Sequence, residues 1–377
     1  MTYKTKVQNE KTYITLCSTC TFKFRTSFLF RYFRSKTTRL IHRYTAVWSD
    51  LSLAESFLNY CYLRVEAENT NGVMFCNYTD ETYHMHDYGT STYTQGRASC
   101  DNYNTGWTEG KGNTWSHYYG GIKLCNQLLE DIMDTPANTD SEKEWKNQII
   151  GQGYFLRAYY YHMLYSVYGR IPLIDHTYDL DSEFKEERAD MDDVADFIVA
   201  DCDKAAELLP TVYKDASDFG RATKGAALAL KGRVLLYKAS PLFGTPSREK
   251  WQAAADANKA VIDMNIYSLK QVSNSDEYAD LFFDSKNPEV IFEKLYDEKG
   301  IAGSSASLVM QAPAGPGNGY EGWSTWQPTY EIVELFQNAD GTPYKPAETK
   351  PFTILQTTID PDSGEATQKE VTIQASD

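Results

Sequence analysis

The sequence predicts a mainly α-helical protein. Antiparallel helix pairs of the tetratricopeptide kind should form an α-superhelix, with long irregular loops and a few short strands. Three observations predict it. Apolar residues recur at helical spacing in successive stretches between residues 113 and 267. Prolines stand at the joints between those stretches (Pro136, Pro172, Pro210, Pro241) and not inside them. Small residues such as Gly225, Ala229 and Gly232 sit within one stretch, where they let a neighbouring helix approach closely.

The elements follow in order. Leu51, Ala54, Leu58 and Cys61/Tyr62 make 48–66 one amphipathic helix. From Asn69 to Gly112 the chain is polar and aromatic, rich in Gly, Asn, Asp, Ser and Thr, and reads as a long loop or irregular insert. Loops of that length inside a compact domain usually carry function or are disordered. Helix resumes at Asn113/Trp115 with Tyr118/Tyr119, Ile122, Cys125/Asn126 and Leu129 on one stripe, ending before Pro136. Ser141 and Glu144 have the spacing of a capping box, in which each side chain satisfies a free backbone N–H. The helix they would open carries Ile149, Phe155/Leu156, Tyr159, Met163 and Val167 and stops at Gly169 and Pro172. Asp190 opens a third, through Val194, Phe197/Ile198, Cys202, Ala205 and Leu208/Leu209. Two more run over Thr223–Ser240 and Glu249–Met264, the second with Trp251, Ala254, Asn258, Val261 and Ile262 on its stripe. After Tyr267, Glu289–Glu293 reads as a short strand, Ala302–Gly322 as a Gly/Ala/Ser/Pro-rich loop, and Pro328–Phe336 as a short helix.

Three ranges result: an atypical basic segment over 1–46, a helical domain over 47–345 whose repeat-like core lies at about 113–267, and a polar tail over 346–377. Charge separates the first two. Residues 1–46 hold ten Lys/Arg and one acid, whereas the remainder holds 27 Lys/Arg against 51 Asp/Glu, a net of −24. A body this acidic repels nucleic acid and anionic lipid, so no nucleic-acid partner is expected. Residues 1–46 also lack the apolar run of a signal peptide. The 7 cysteines have no regular spacing, and Cys17/Cys20 form a lone C-x-x-C with no second pair at zinc-finger distance. The expectation at this point is a chain incomplete at both ends.

Catalytic signatures are absent. There is no G-x-S-x-G, no H-E-x-x-H and no phosphate-binding glycine loop; Gly106…Gly110-Lys111-Gly112 has the wrong spacing. His84-x-His86-Asp87 could supply metal ligands from one strand face, but a solvated polar loop explains it more simply. No cofactor, no metal and no enzymatic activity are expected.

Several segments together resemble the SusD/RagB family of outer-membrane glycan-binding lipoproteins of Bacteroidetes. Phe155-Leu156-Arg157-Ala158-Tyr159-Tyr160-Tyr161, continuing through Tyr168-Gly169 and Ile171-Pro172-Leu173-Ile174, is similar to the family's long helix and its exit. Gly220-Arg221-Ala222-Thr223-Lys224-Gly225 through Tyr237 is the second such segment, and Trp251 with Ala254, Ala257 and Val261-Ile262 the third. Trp115, Tyr119, Ile122 and Asn126 fit the family's W-x-x-x-Y-x-x-I-x-x-x-N helix, and Pro328-Thr329-Tyr330-Glu331 through Phe336 a late motif. The resemblance spans about residues 48–345. It implies glycan binding at the cell surface, outward-facing on the outer membrane, and delivery to a SusC-like TonB-dependent transporter. It also implies a lipid anchor, for which Cys17 has no lipobox context.

Sugar binding has a physical basis in the loops. A pyranose offers an apolar C–H face that packs on an aromatic ring, while its hydroxyls need polar partners. Asp80, Tyr83, Asp87, Arg97, Trp107 and Asn113 in the first loop, and Tyr320, Trp323 and Trp326 in the second, supply that mixture and are the candidate ligand residues. Trp48, Trp115, Trp145 and Trp251 fall on helical stripes and are expected in the core or at an interface between elements. Tyr159, Tyr161 and Tyr237 are expected between helices, hydroxyl at the rim. The competing readings are a helical-repeat scaffold that only docks proteins, or a glycoside hydrolase.

Overall fold

In the computed structural model the described residues are 46–65, 79–84, 96, 114–179, 181–282, 284, 286–295, 326–338, 340–343, 352–359 and 366–373. Helix α1 (Leu51–Tyr62) is followed by strand β1 (Thr82–His84) and then by α2 (Thr114–Asp131), α3 (Asp140–Tyr168), α4 (Met191–Leu208), α5 (Lys224–Ala239) and α6 (Arg248–Asp263). After these come α7 (Ser275–Asp280), β2 (Trp326–Pro328), α8 (Tyr330–Glu334), β3 (Phe352–Ile359) and β4 (Ala366–Ile373). Each of α2 to α5 packs against the next in sequence, and α1 packs on α2 and α3. The mainly helical, tetratricopeptide-like architecture expected from the sequence is the one observed.

Local chemistry sets the helix starts. Asp50 caps α1 by accepting from Ser52 N at 2.8 Å. Thr223 accepts from Ala226 N and Ser247 from Lys250 N, each at 3.3 Å, capping α5 and α6. The capping box of α3 sits two residues earlier than the sequence suggested. Thr139 Oγ1 accepts from Glu142 N at 3.2 Å, and Glu142 Oε2 accepts from the amides of Asn138 and Thr139, both at 2.8 Å. Two overlapping Ser/Thr-x-x-Glu patterns exist here, and the one nearer Pro136 leaves the fewest amides unsatisfied.

The core is unusually phenolic. Tyr160, Tyr161 and Tyr165 are fully buried on α3. Tyr160 donates to Cys61 O of α1 at 2.6 Å, and a Cβ added at Gly121 of α2 would come within 2.7 Å of its ring. Tyr62 donates to Gln152 Oε1 at 2.8 Å and accepts from Ala222 N at 3.0 Å, tying α1 to α3 and to the entry of α5. A buried phenol is tolerated where its hydroxyl finds a partner.

Four expectations need correction. Trp251 is 44% exposed, because α6 meets α5 through Ala254 and Ala257. That smaller face lets Asn258 lie over Gly232, whose hypothetical Cβ would be 2.6 Å from Asn258 Oδ1. Glu289–Glu293 is not a strand; Val290 N donates to Asn287 O in a turn, and Phe292 stands edge-on to Phe155 at 5.0 Å. Ile291 and Phe292 of its apolar run pack on the helical core, and the run has no ladder partner among the described residues. Tyr161 is buried throughout rather than rimmed, since its hydroxyl meets backbone at Ile174. Finally, the stretch read as a polar tail contains the β3–β4 hairpin, register Phe352↔Ile373 to Ile359↔Ala366. Its β-branched Thr/Ile/Val alternation was the signal for it.

Two predictions follow from this packing. Gly121→Ala should destabilise by about 1–3 kcal/mol, through displacement of the Tyr160 ring, read by urea denaturation. His162, buried on α3 with its ring 5.4 Å from that of Tyr237, has its pKa lowered to about 3 by burial. The unfolded chain therefore takes up a proton at this site below its ordinary pKa of about 6.5 that the folded chain refuses. Stability from this group is complete at pH 7.5 and falls by about 1.4 kcal/mol per pH unit between roughly 6.5 and 3. At pH 5 the wild type should have lost about 2 kcal/mol more than His162→Leu, relative to each protein at pH 7.5.

Candidate functional site

The two loops singled out from the sequence meet. β1 pairs antiparallel with β2 in the register Thr82↔Pro328, Tyr83↔Gln327, His84↔Trp326. The pairing continues beyond the strands, with Thr329 N donating to Glu81 O at 3.0 Å and the Thr329 hydroxyl to Asp80 O. Thr329 also caps α8 by accepting from Ile332 N at 3.3 Å. Residues more than two hundred positions apart in sequence are thereby fixed side by side. Asp80 is exposed, Tyr83 is 56% exposed, and Trp326 opens the partner strand. Asp87, Arg97, Trp107, Asn113, Tyr320 and Trp323 lie outside the described residues. So do His86 and the remainder of the first loop near it. Among the described residues no cluster of three His, Cys, Asp or Glu could hold a metal, and no helix is long and apolar enough to cross a membrane.

The helical scaffold holds a buried ion pair. Arg157 of α3 donates through Nε to Asp201 Oδ2 at 2.7 Å and through a terminal nitrogen to Asp201 Oδ1 at 2.8 Å, a two-pronged pair to α4. Its other terminal nitrogen donates to Asn126 Oδ1 of α2 at 2.9 Å. The guanidinium carbon lies 5.4 Å from the Tyr154 ring centre and 5.2 Å from that of Phe197. Desolvation acts against the Arg157 charge, but the hydrogen bonds and charge of Asp201 outweigh it and raise its pKa. Burial also lifts the Asp201 carboxyl above the ordinary carboxylate range, opposed by Arg157.

The cluster reaches outward to the chain leaving α3. Asn126 Nδ2 donates to Ile174 O at 2.9 Å and His176 O at 3.0 Å. Tyr161 donates to Ile174 O at 2.9 Å and accepts from Ile174 N at 2.6 Å; Tyr119 donates to Pro172 O at 2.7 Å. Burial pushes both phenols up, so they stay neutral donors. Glu130 closes the segment by accepting from Thr177 N at 2.8 Å and Thr177 Oγ1 at 2.6 Å. A stretch with almost no secondary structure of its own is held by side chains from α2 and α3. Asn126 and Arg157 appeared in the sequence only as parts of helical motifs, and Asp201 not at all. Their signal was a charged or amide residue on an otherwise apolar helical stripe.

The chain belongs to the SusD-like family: the family model described as starch-binding, associating with the outer membrane, matches residues 44–236, about half of the chain. Among curated proteins, SusD-like protein P38 of Formosa agariphila is 26% identical over 232 residues, covering 57% of this chain and 41% of that protein. A SusD-like protein of Bacteroides fragilis matches with a TM-score of 0.65 at 25% identity, covering 81% of this chain and 56% of that one. A SusD-like carbohydrate binding protein of the same organism matches at 0.64 with 23% identity, covering 79% and 55%. The chain thus spans roughly half the length of the relatives it matches.

Removing one partner of the buried pair should be worse than removing both. Arg157→Met is expected to cost about 3–5 kcal/mol because it strands a buried carboxylate, and the double variant Arg157→Met/Asp201→Leu to recover at least half of that. Urea denaturation of the wild type and the two variants checks it; a double variant no more stable than Arg157→Met would contradict it.

Proposed function

We propose that this protein binds glycans at the cell surface without chemically altering them and passes them to a SusC-like TonB-dependent transporter in the outer membrane. Membership of a family described as starch-binding and outer-membrane-associated supports the ligand class and the location. The observation that carries the site is the β1–β2 ladder, which joins an exposed Tyr83 and Asp80 to the strand beginning at Trp326. Tyr83 offers a ring face for a pyranose, and the carboxylate of Asp80 an acceptor for sugar hydroxyls. Asp87, Arg97, Trp107, Asn113, Tyr320, Trp323 and Trp326 complete the proposed ligand set, on the two loops that this ladder joins. The solved carbohydrate-binding relative of Bacteroides fragilis shares the fold and gives the reading a precedent.

The test is affinity electrophoresis against a polysaccharide panel, with isothermal titration on the best ligand. At least one neutral polysaccharide should retard the protein. Tyr83→Ala and Trp323→Ala should each weaken binding about five- to tenfold, the worth of one ring contact, with no reducing ends released over hours. Retardation by none of the panel, or steady sugar release, would contradict the reading.

A further inference from the structure

A second cavity, separate from the β1–β2 surface, opens between α2 and the segment following α3. Its volume is about 430 Å³, within the roughly 300–1,000 Å³ typical of small-ligand pockets. Its lining mixes rings and hydrogen-bonding groups: Trp115, Tyr119, Tyr178 and Phe184 with Lys123 and His176. Trp115 and Tyr119 are half-buried against one another at 4.8 Å, and Trp115 also meets Tyr168 edge-on at 5.1 Å. Tyr178 and Phe184 are exposed, at 36% and 59%; Tyr178 meets the His176 ring at 4.9 Å and that of Phe184 at 6.0 Å, and the rest of its ring is open to solvent.

The wall of this cavity is the stretch that the buried cluster immobilises, since Ile174, His176 and Thr177 all line it and are bonded to Tyr161, Asn126 and Glu130. A pocket fixed by buried hydrogen bonds loses little entropy on filling. Charge narrows the occupant. Glu130 accepts from Thr177, Asp175 lies 3.2 Å from His176 Nδ1, and Glu186 lies 4.0 Å from His176 Nε2. These carboxylates stand around a body already at −24, so an anionic ligand would be repelled. Lys123 is exposed and makes no ion pair among the described residues, leaving its ammonium available as a donor to hydroxyl oxygens.

Aromatic faces, a free donor and surrounding negative charge describe the recognition of an uncharged pyranose. We propose that this cavity is a second sugar subsite, taking one neutral hexose unit of a bound glycan, with Tyr178 as a stacking face and Lys123 as a hydroxyl donor. The proposal rests on the glycan-binding reading, but on residues that reading does not use.

The experiment disables the loop surface first. In the full chain carrying Tyr83→Ala/Trp323→Ala, isothermal titration with maltohexaose, laminarihexaose, mannohexaose and tetragalacturonate should show weak residual binding of at least one neutral hexasaccharide and none of the uronate. Adding Tyr178→Ala should lower that residual affinity about fivefold or more, and Lys123→Gln should lower it measurably, with unchanged circular dichroism. Residual binding that ignores both substitutions, preference for the uronate, or loss of all binding in the loop-disabled protein while the wild type still binds would each overturn the second subsite and leave the loop reading standing. Failure of the wild type to bind any glycan would overturn both.

Discussion

Two buried hydrogen bonds between Arg157 and Asp201 organise much of what surrounds them. A charge taken from water into a helical core is costly unless paired and fully hydrogen-bonded. Here the guanidinium satisfies that demand by reaching three elements at once: α4 through Asp201, α2 through Asn126, and the chain after α3 through Asp175 O at 3.4 Å. A hydrophobic substitute would pack the same space, but it could not fix the angular relation of α2, α3 and α4 or reach a carbonyl in the connecting segment. The pair is best understood as a device for arrangement rather than for net stability.

From that point the order propagates to the surface. Asn126, once its oxygen is held by Arg157, has its amide turned to the carbonyls of Ile174 and His176. Tyr161 and Tyr119 add bonds to the same stretch from flanking turns of α3 and α2. The sequence holds 28 tyrosines, and those buried among these helices have a structural use: phenols serve as apolar filling with one polar tip, which suits helices that must hold irregular backbone. The β1–β2 ladder does the corresponding work for the loops at 79–84 and 326–329. It does so mainly through backbone hydrogen bonds, with the Thr329 hydroxyl adding one to Asp80 O.

The helices were legible because their periodicity and caps are local. α5 begins and ends within one residue of expectation, and Asp190 was correctly read as the opening of α4. What could not be read was whatever depended on distant partners. The short apolar run Val290-Ile291-Phe292 between two glutamates looks like a strand until Phe155 is known to be waiting for Phe292. Trp251 sits one helical step from a stripe chosen by two alanines, and only the proximity of Gly232 to Asn258 explains that choice. In the candidate site, the residue types of Tyr83 and Asp80 were apparent, but their pairing with the 326–329 strand joins segments about 245 residues apart. The joining of Arg157, Asp201 and Asn126 could not be read for the same reason, since each stands as a lone polar residue on its helix and its partners lie on others.

The central claim is that side chains buried in the helices hold the segment after α3 in its observed shape. Hydrogen–deuterium exchange on Asn126→Ala tests it most directly. The account predicts that amides of residues 170–178, Ile174 above all, exchange at least about tenfold faster than in the wild type, the worth of roughly 1.4 kcal/mol of lost restraint. Amides of α5 and α6 should be unchanged. Unaltered exchange across 170–178, or an equal rise throughout all the helices, would contradict it.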